Sequence, residues 1–474
     1  MTSVGKRLAK LEAQVAALLA MVAERDAIIA QRDAEIAELK TRVADLEQQL
    51  GQNSTNSGKP PSTDPPGTRP EKKPTGRSRG GQPGHKPNTR VLFPPEKVTR
   101  RTKLAPKRCR GCGGRNLAAE GIDPRVHQVI DIPEIKPDVH EIVMGGACCK
   151  DCGKTTWASL PADVPSHMFG PRLLAFIGYF LGARTSRRQL REYLSEIFGI
   201  PVSLGALSEA EERISDALAA PVDAAACYVR AHPVKHVDGS TWRIAGLYAA
   251  LWTIATRSVA VFFVTADACR ETIAALLGTL SGIMVTDRGS QFGFWAMERR
   301  QICWAHLIRK FVAFSERKDA GRQLGDDLLL LSHAMLSAWH KVRDGTLKRA
   351  QYQRMATNAQ LAFEGLLERG AELRLRGVSG SCLDILEHKT ALFTFAFERG
   401  VDPTNNHAER ALRPFVLWRK VSYGSQSQRG CLFAQRVMTV IHSLRLQRRS
   451  ILGFLLAACD PAQLQVPTLI PSDR

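Results

Sequence analysis

No stretch of this sequence is apolar for long enough to span a bilayer. The longest runs, such as Leu173 to Leu181, fall well short of the roughly 20 residues a membrane helix needs. The N-terminus also lacks the apolar segment of a secretory leader, so a cytoplasmic protein with no membrane partner is expected. Acids are scarce relative to bases: Asp+Glu number 46 against Lys+Arg 66, a formal charge of +20. That imbalance suits a polyanionic partner, with nucleic acid first among them. In a reducing compartment the 11 cysteines are not a disulfide frame and read instead as metal ligands and buried thiols. At 474 residues the chain exceeds one ordinary core, and several domains are expected.

From Val4, apolar residues recur at alternating spacings of four and three: Leu8, Leu11, Val15, Leu18, Val22, Ile29, Ile36, Leu39, Val43, Leu46 and Leu50. This is the seam of a coiled coil over 1–50, with Arg25 and Arg32 at two of its d positions, and it predicts a homo-oligomer. After Gly51 the composition changes to Pro, Gly, Ser and Thr. Over Gln52 to Arg90 eight basic residues meet only Asp64 and Glu71. Such a segment buries no core, so 51–100 reads as a disordered basic linker, either a plain tether or a strip that follows a phosphate backbone through Arg77 and Arg79.

Two C-x-x-C pairs, Cys109 with Cys112 and Cys149 with Cys152, are flanked by glycines that permit tight knuckles. Four thiolates at these spacings suit a structural Zn²⁺ in a small module over 101–165, with strand-like pieces at His127 to Ile132 and His140 to Val143. Over 166–230 the pattern is helical: Gly170 to Phe198 carries Arg184, Arg187, Arg188 and Arg191, Gly199 and Pro201 break it, and Ser203 caps a helix through Leu218. The outline is that of a helix-turn-helix, or of any two packed helices.

At His232 the periodicity turns to strands: Val234 to Val237, Leu247 to Ala255 and Val259 to Thr265. A helix over Arg270 to Leu280 and a strand at Ile283 to Val285 follow. Asp238 ends the first strand and Asp287 the fourth, so neighbouring strands would bring both carboxylates to one edge of an α/β layer of ribonuclease-H type. Paired carboxylates attract hard divalent cations, which supply the charge that phosphoryl transfer needs. The third acid is expected at Glu409, on a helix opened by Pro403 and Thr404, where Asn405, Asn406 and His407 offer polar groups to phosphate. Gln301 to Phe311 reads as a fifth strand running into a basic helix with His306 near the metals, or with His306 and Cys303 as core packing. Arg288, His306, Asn406, Arg410 and Arg413 are the candidate DNA contacts. The catalytic domain then spans 231–425 with a helical insertion at about 312–395, followed by a helical region over 426–474.

Taken together, the N-terminal coil with Gln52-Asn53-Ser54-Thr55-Asn56-Ser57-Gly58-Lys59-Pro60-Pro61-Ser62, the paired knuckles, Cys303-Trp304-Ala305-His306 and Asn405-Asn406-His407-Ala408-Glu409-Arg410 resemble the transposases of insertion-sequence family sixty-six. Arg419-Lys420 with Gly424-Ser425 is similar to that family's C-terminal block, and Thr404 departs from it by replacing an acid. The resemblance implies a catalytic triad of Asp238, Asp287 and Glu409 with Mg²⁺ or Mn²⁺, cleavage and joining of DNA at element ends, and small accessory proteins of the same element. Two other readings stay open: a zinc-containing oligomeric DNA-binding regulator with a vestigial catalytic layer, and a nuclease or resolvase that cuts without joining.

Overall fold

The computed structural model describes residues 3–57, 59, 64, 84–85, 90–118, 121–161, 164–463 and 465–471. Most of the basic strip expected over 69–90, Arg77 and Arg79 included, lies outside them. The chain divides into two compact units, one of Met1–Thr68, Val143–Glu192 and Val202–Arg474, the other of Arg69–Ile142 and Tyr193–Pro201.

In the smaller unit a 3-10 turn at Pro95–Lys97 precedes irregular chain. Gln128 braces it by accepting from the Phe93 N–H at 2.8 Å and donating to the Phe93 carbonyl at 2.9 Å. The strands expected at His127 to Ile132 and His140 to Val143 do not form among the described residues. Pro133 and Pro137 remove ladder donors there, and Val129, Ile132 and Val139 are exposed, so no second strand covers the alternating apolar face.

The larger unit begins with α1 (Ser3–Leu50), a single helix of 48 residues. Its end turns through Gly51 to Ser57. There the buried Asn56 donates to the Gly51 carbonyl at 3.0 Å and to Glu316 at 2.6 Å. A hairpin of β1 (Gly146–Cys148) and β2 (Thr155–Trp157) follows. The helices α2 (Pro171–Gly182), α3 (Arg187–Phe198), α4 (Leu204–Ala217) and α5 (Ala219–Ala231) come next.

The continuous helix expected over 170–198 is broken between α2 and α3. Gly182 lets α2 approach Ile441 and Val437 where a Cβ would collide, and Arg184 adopts a left-handed φ of 76° that ends the helix. Ser203 caps α4 as its sequence predicts, accepting from the Ala206 N–H at 3.0 Å.

The sheet comprises β3 (Val234–Ile244), β4 (Leu247–Ala255), β5 (Ala260–Thr265), β6 (Ile283–Thr286) and β7 (Arg300–Ile302), in spatial order β5-β4-β3-β6-β7. β3, β4 and β5 form an antiparallel meander, while β6 and β7 run parallel to β3. α6 (Arg270–Leu277) crosses between β5 and β6. The last seven residues of β4 are buried, as expected of an inner strand covered on both faces. β5 is an edge strand, and its outward N–H groups would be orphans. α13 (Gln428–Leu446) satisfies them with side chains one turn apart: Gln435 accepts from Val264, Thr439 from Phe262 and Ser443 from Ala260.

Beyond β7 the chain enters α7 (Trp304–Ser315), then α8 (Gly321–Arg343), α9 (Arg349–Glu372), α10 (Ser379–Glu387) and the short α11 (Thr394–Phe397). Their shared core is aromatic and centres on the fully buried Trp304, whose ring meets Phe363 and Phe393 and whose N–H donates to the Leu392 carbonyl at 2.7 Å. α12 (Asn406–Ser422) then returns to the sheet, and α14 (Ile451–Cys459) follows α13. After α12, Gly424 presses against the Arg243 carbonyl with φ 103°, a contact that excludes any Cβ, and Ser425 bonds to the end of β3. Among the described residues no helix is long and apolar enough to cross a membrane.

Candidate active site

Strand endings create the site. β3 pairs with β6 only as far as His236 opposite Val285, so beyond that point the two strands part. Asp238 lies two residues further on, and Asp287 directly follows β6. The sequence suggested that the first strand ends at Asp238. Instead β3 continues to Ile244, because Gly239 offers no Cβ to the Trp252 ring stacked against it and the β4 ladder remains unbroken. It is the loss of the β6 partner, not the end of β3, that opens the crevice.

Glu409 enters from the first turn of α12, and buried hydrogen bonds fix its position. Asn405, the cap residue, is 1% exposed and uses its side chain inward: Nδ2 donates to the Val237 carbonyl at 2.8 Å, and Oδ1 lies 3.3 Å from the His236 ring. Its backbone N–H reaches Cys303 Sγ at 3.1 Å, and the Cys303 N–H in turn donates to the Thr286 carbonyl at 2.8 Å. Val237 precedes Asp238, Thr286 precedes Asp287, and Asn405 stands one helical turn before Glu409. Three backbone positions, two next to an acid and one a helical turn before the third, are thus tied into one lattice.

The electrostatics agree with that convergence. Burial, then the charges of Glu409 and Asp287, pushes the Asp238 carboxyl up to about 7. Asp287 Oδ1 accepts from the Gly289 N–H at 2.9 Å, and the buried Arg300 guanidinium donates to the Asp287 carbonyl at 3.2 Å. Glu409 Oε1 lies 3.6 Å from both His306 Nδ1 and Arg309 Nη2. Neither Glu409 Oε1 nor His306 Nδ1 has a hydrogen-bond partner, although both atoms are buried. Burial and the neighbouring Arg309 lower the His306 pKa, which favours a neutral imidazole with a nitrogen lone pair to offer. Burial also raises the Cys303 thiol to about 11. Cys303, His306 and Glu409 offer ligand atoms within 4.8 Å of one another; Asp238 and Asp287 are not in that group. Mutually repelling carboxylates beside orphaned buried acceptors are a donor set that a divalent cation fits.

The residues from Met168's neighbourhood to the start of α13, 166–432, match the family model of the IS66 transposases, more than half of the chain and all three acids. The chain belongs to the IS66 transposase family. Membership gives this protein a transposase role, implies that it binds DNA, and suggests the use of a divalent metal. Residues 4–91, covering α1 and the basic segment, match a family of unknown function. No curated protein matches the chain.

Within the transposase the other predicted site residues separate. Arg410 and Arg413 are exposed on α12, and Asn406 is half-buried in its first turn. Arg288 instead pairs with Asp384 of α10. His407 bonds to the Thr256 carbonyl at 2.6 Å, so with Asn405 it braces the fold rather than facing a phosphate. Arg187 forms an ion pair with the buried Glu211 of α4, which removes one cation from the expected reader cluster. Arg309 was missed by the sequence reading, although its spacing of three from His306 puts both on one helical face.

The two knuckles share one local design. Cys109 N–H donates to the Gly114 carbonyl and Gly113 N–H back to Cys109, at 2.8 and 2.9 Å; Cys149, Gly153 and Lys154 repeat the pattern at 2.9 Å each. Gly113 and Gly153 take left-handed φ of 76° and 72°. Within each pair, backbone N–H groups lower the first thiol's pKa, as suits a thiolate ligand.

Proposed function

We propose that the transposase cleaves and joins DNA strands at a ribonuclease-H-like layer whose acids, Asp238, Asp287 and Glu409, hold Mg²⁺ or Mn²⁺. The observation that carries this reading is geometric: β3 and β6 part just before Asp238 and Asp287, and Asn405 fastens the start of the Glu409 helix to Val237, with burial and the two other acids raising the Asp238 carboxyl. The sheet order, a three-strand meander beside two parallel strands, supports the layer type. A divalent cation bound there supplies positive charge to the scissile phosphate and activates a water or a 3′-hydroxyl for in-line attack.

The chain's own groups do the rest. Asp238 holds a proton near neutrality and releases it when a cation takes its place. Arg309 and His306 flank Glu409 Oε1 and limit the directions in which that carboxylate can turn. Asn405 keeps the start of α12 against β3. The N-terminus of that helix, with Asn406, Arg410 and Arg413, offers N–H groups and cations to the DNA backbone.

Each knuckle, Cys109/Cys112 and Cys149/Cys152, presents a pair of thiolates of the kind that ligate a structural zinc ion. The exposed apolar seam of α1 makes the transposase a homo-oligomer. The test of the catalytic reading is Glu409→Gln assayed on an oligonucleotide duplex carrying the element end with Mg²⁺. Cleavage should fall at least a thousandfold while end binding is kept; a variant that still cuts would overturn the choice of acid.

A further inference from the structure

We propose that α1 pairs with α1 of a second copy as a parallel, in-register, two-stranded coiled coil. The inference deepens the homo-oligomer reading above and rests on it. The seam residues of α1, from Leu8 to Leu50, are between 47% and 82% exposed, far beyond what isolated apolar side chains on a folded protein would need.

Composition within the seam selects the partner. With Leu8 at a, the a positions Val15, Val22, Ile29, Ile36 and Val43 are β-branched, and the d positions Leu11, Leu18, Leu39 and Leu46 are leucine. That combination favours two strands in parallel, because β-branched side chains pack in the a layer and leucine in the d layer of a dimer.

Charge then fixes direction and register. In a parallel pair each g residue meets the e residue five positions later on the partner. Arg7 faces Glu12, Glu35 faces Lys40 and Arg42 faces Glu47; no like charges meet. The two polar d layers follow suit, since Arg25 and Arg32 are each followed by an e-position aspartate, Asp26 and Asp33, which flanks the d layer of the partner. Antiparallel pairing brings e against e, and either alignment with nearly full overlap sets Asp26 against Asp26 or Asp33. Within one chain Arg32 pairs with Glu35 at 3.2 Å, but both side chains are exposed and such a pair is worth only a few tenths of a kcal/mol. A parallel pair gathers two Gly51 to Ser57 turns at one end. Each turn is joined by Asn56 to Glu316 at the end of α7, the helix that carries His306 and Arg309.

Full-length chains carrying Glu35→Lys or Lys40→Glu, with different tags, test the proposal by sedimentation and co-purification. Each variant alone should dimerise about tenfold more weakly than the wild type, and an equimolar mixture should recover wild-type association as mixed dimers. A dimer that the mixture does not restore overturns the parallel register and leaves the oligomer reading standing. A wild-type chain that sediments as a monomer overturns both, and a trimer or larger assembly overturns the two-stranded pairing. Because no DNA chemistry enters the readout, these outcomes are independent of the catalytic reading.

Discussion

Asn405 Nδ2 donates to the Val237 carbonyl across 2.8 Å, so the residue that starts the Glu409 helix is fastened to the strand position just before Asp238. Glu409 and Asp238 are 171 positions apart by their numbers, and this buried bond ties their two elements together. The polar pair at 405 and 406 therefore divides its work. Asn405 is sealed inside at 1% exposure, and Asn406 is half-buried.

Replacing Asn405 by alanine leaves the Val237 carbonyl buried without its donor, a loss of about 1–3 kcal/mol in folding stability. We expect a lower melting temperature. Strand cleavage should also fall at least tenfold at a temperature where the variant is fully folded, with DNA binding unchanged. Folded protein with wild-type cleavage would mean that Glu409 needs no such brace.

The Asp238 carboxyl gives a signed pH dependence. Its folded pKa, about 7, stands above the ordinary 3.8, so the folded state binds the extra proton between those values. In metal-free protein the Asp238 contribution to stability is therefore fully present below about pH 4, declines as pH rises through that window, and is lost above 7. Asp238→Asn should melt several degrees above wild type at pH 8 and match it at pH 4. Mg²⁺, which competes with the same proton, should raise the wild-type melting temperature at pH 8 and not at pH 5. A pH-independent difference between the two proteins would overturn the assignment.

Purified transposase should contain about one zinc ion per chain by elemental analysis, and Cys149→Ser should lose it. Zinc removal should loosen the knuckle turns, seen as faster proteolysis beside them, without emptying the carboxylate site of Mg²⁺. Zinc-free wild-type protein with intact thiols would overturn the reading of the knuckles.

Local chemistry in the sequence determined a good deal. The period of α1, the Ser203 cap, the bounds of β4 and the acids beside the parting strands all follow from spacing and side-chain type. Tertiary structure alone decided the rest, because each remaining feature depends on a partner in another element. β3 runs past Asp238 because Gly239 leaves room for the Trp252 ring, and Gly182 lets α2 lie against Val437 and Ile441 before Arg184 turns the chain. Val129, Ile132 and Val139 look like strand residues and remain exposed, since an alternating pattern becomes a strand only where a second strand accepts its hydrogen bonds. Asn405 and His407 look like phosphate ligands by composition and turn inward instead, bonding to the Val237 and Thr256 carbonyls. The sequence offers the acids as candidates; buried bonds between elements, such as that from Asn405 to Val237, decide how they are arranged.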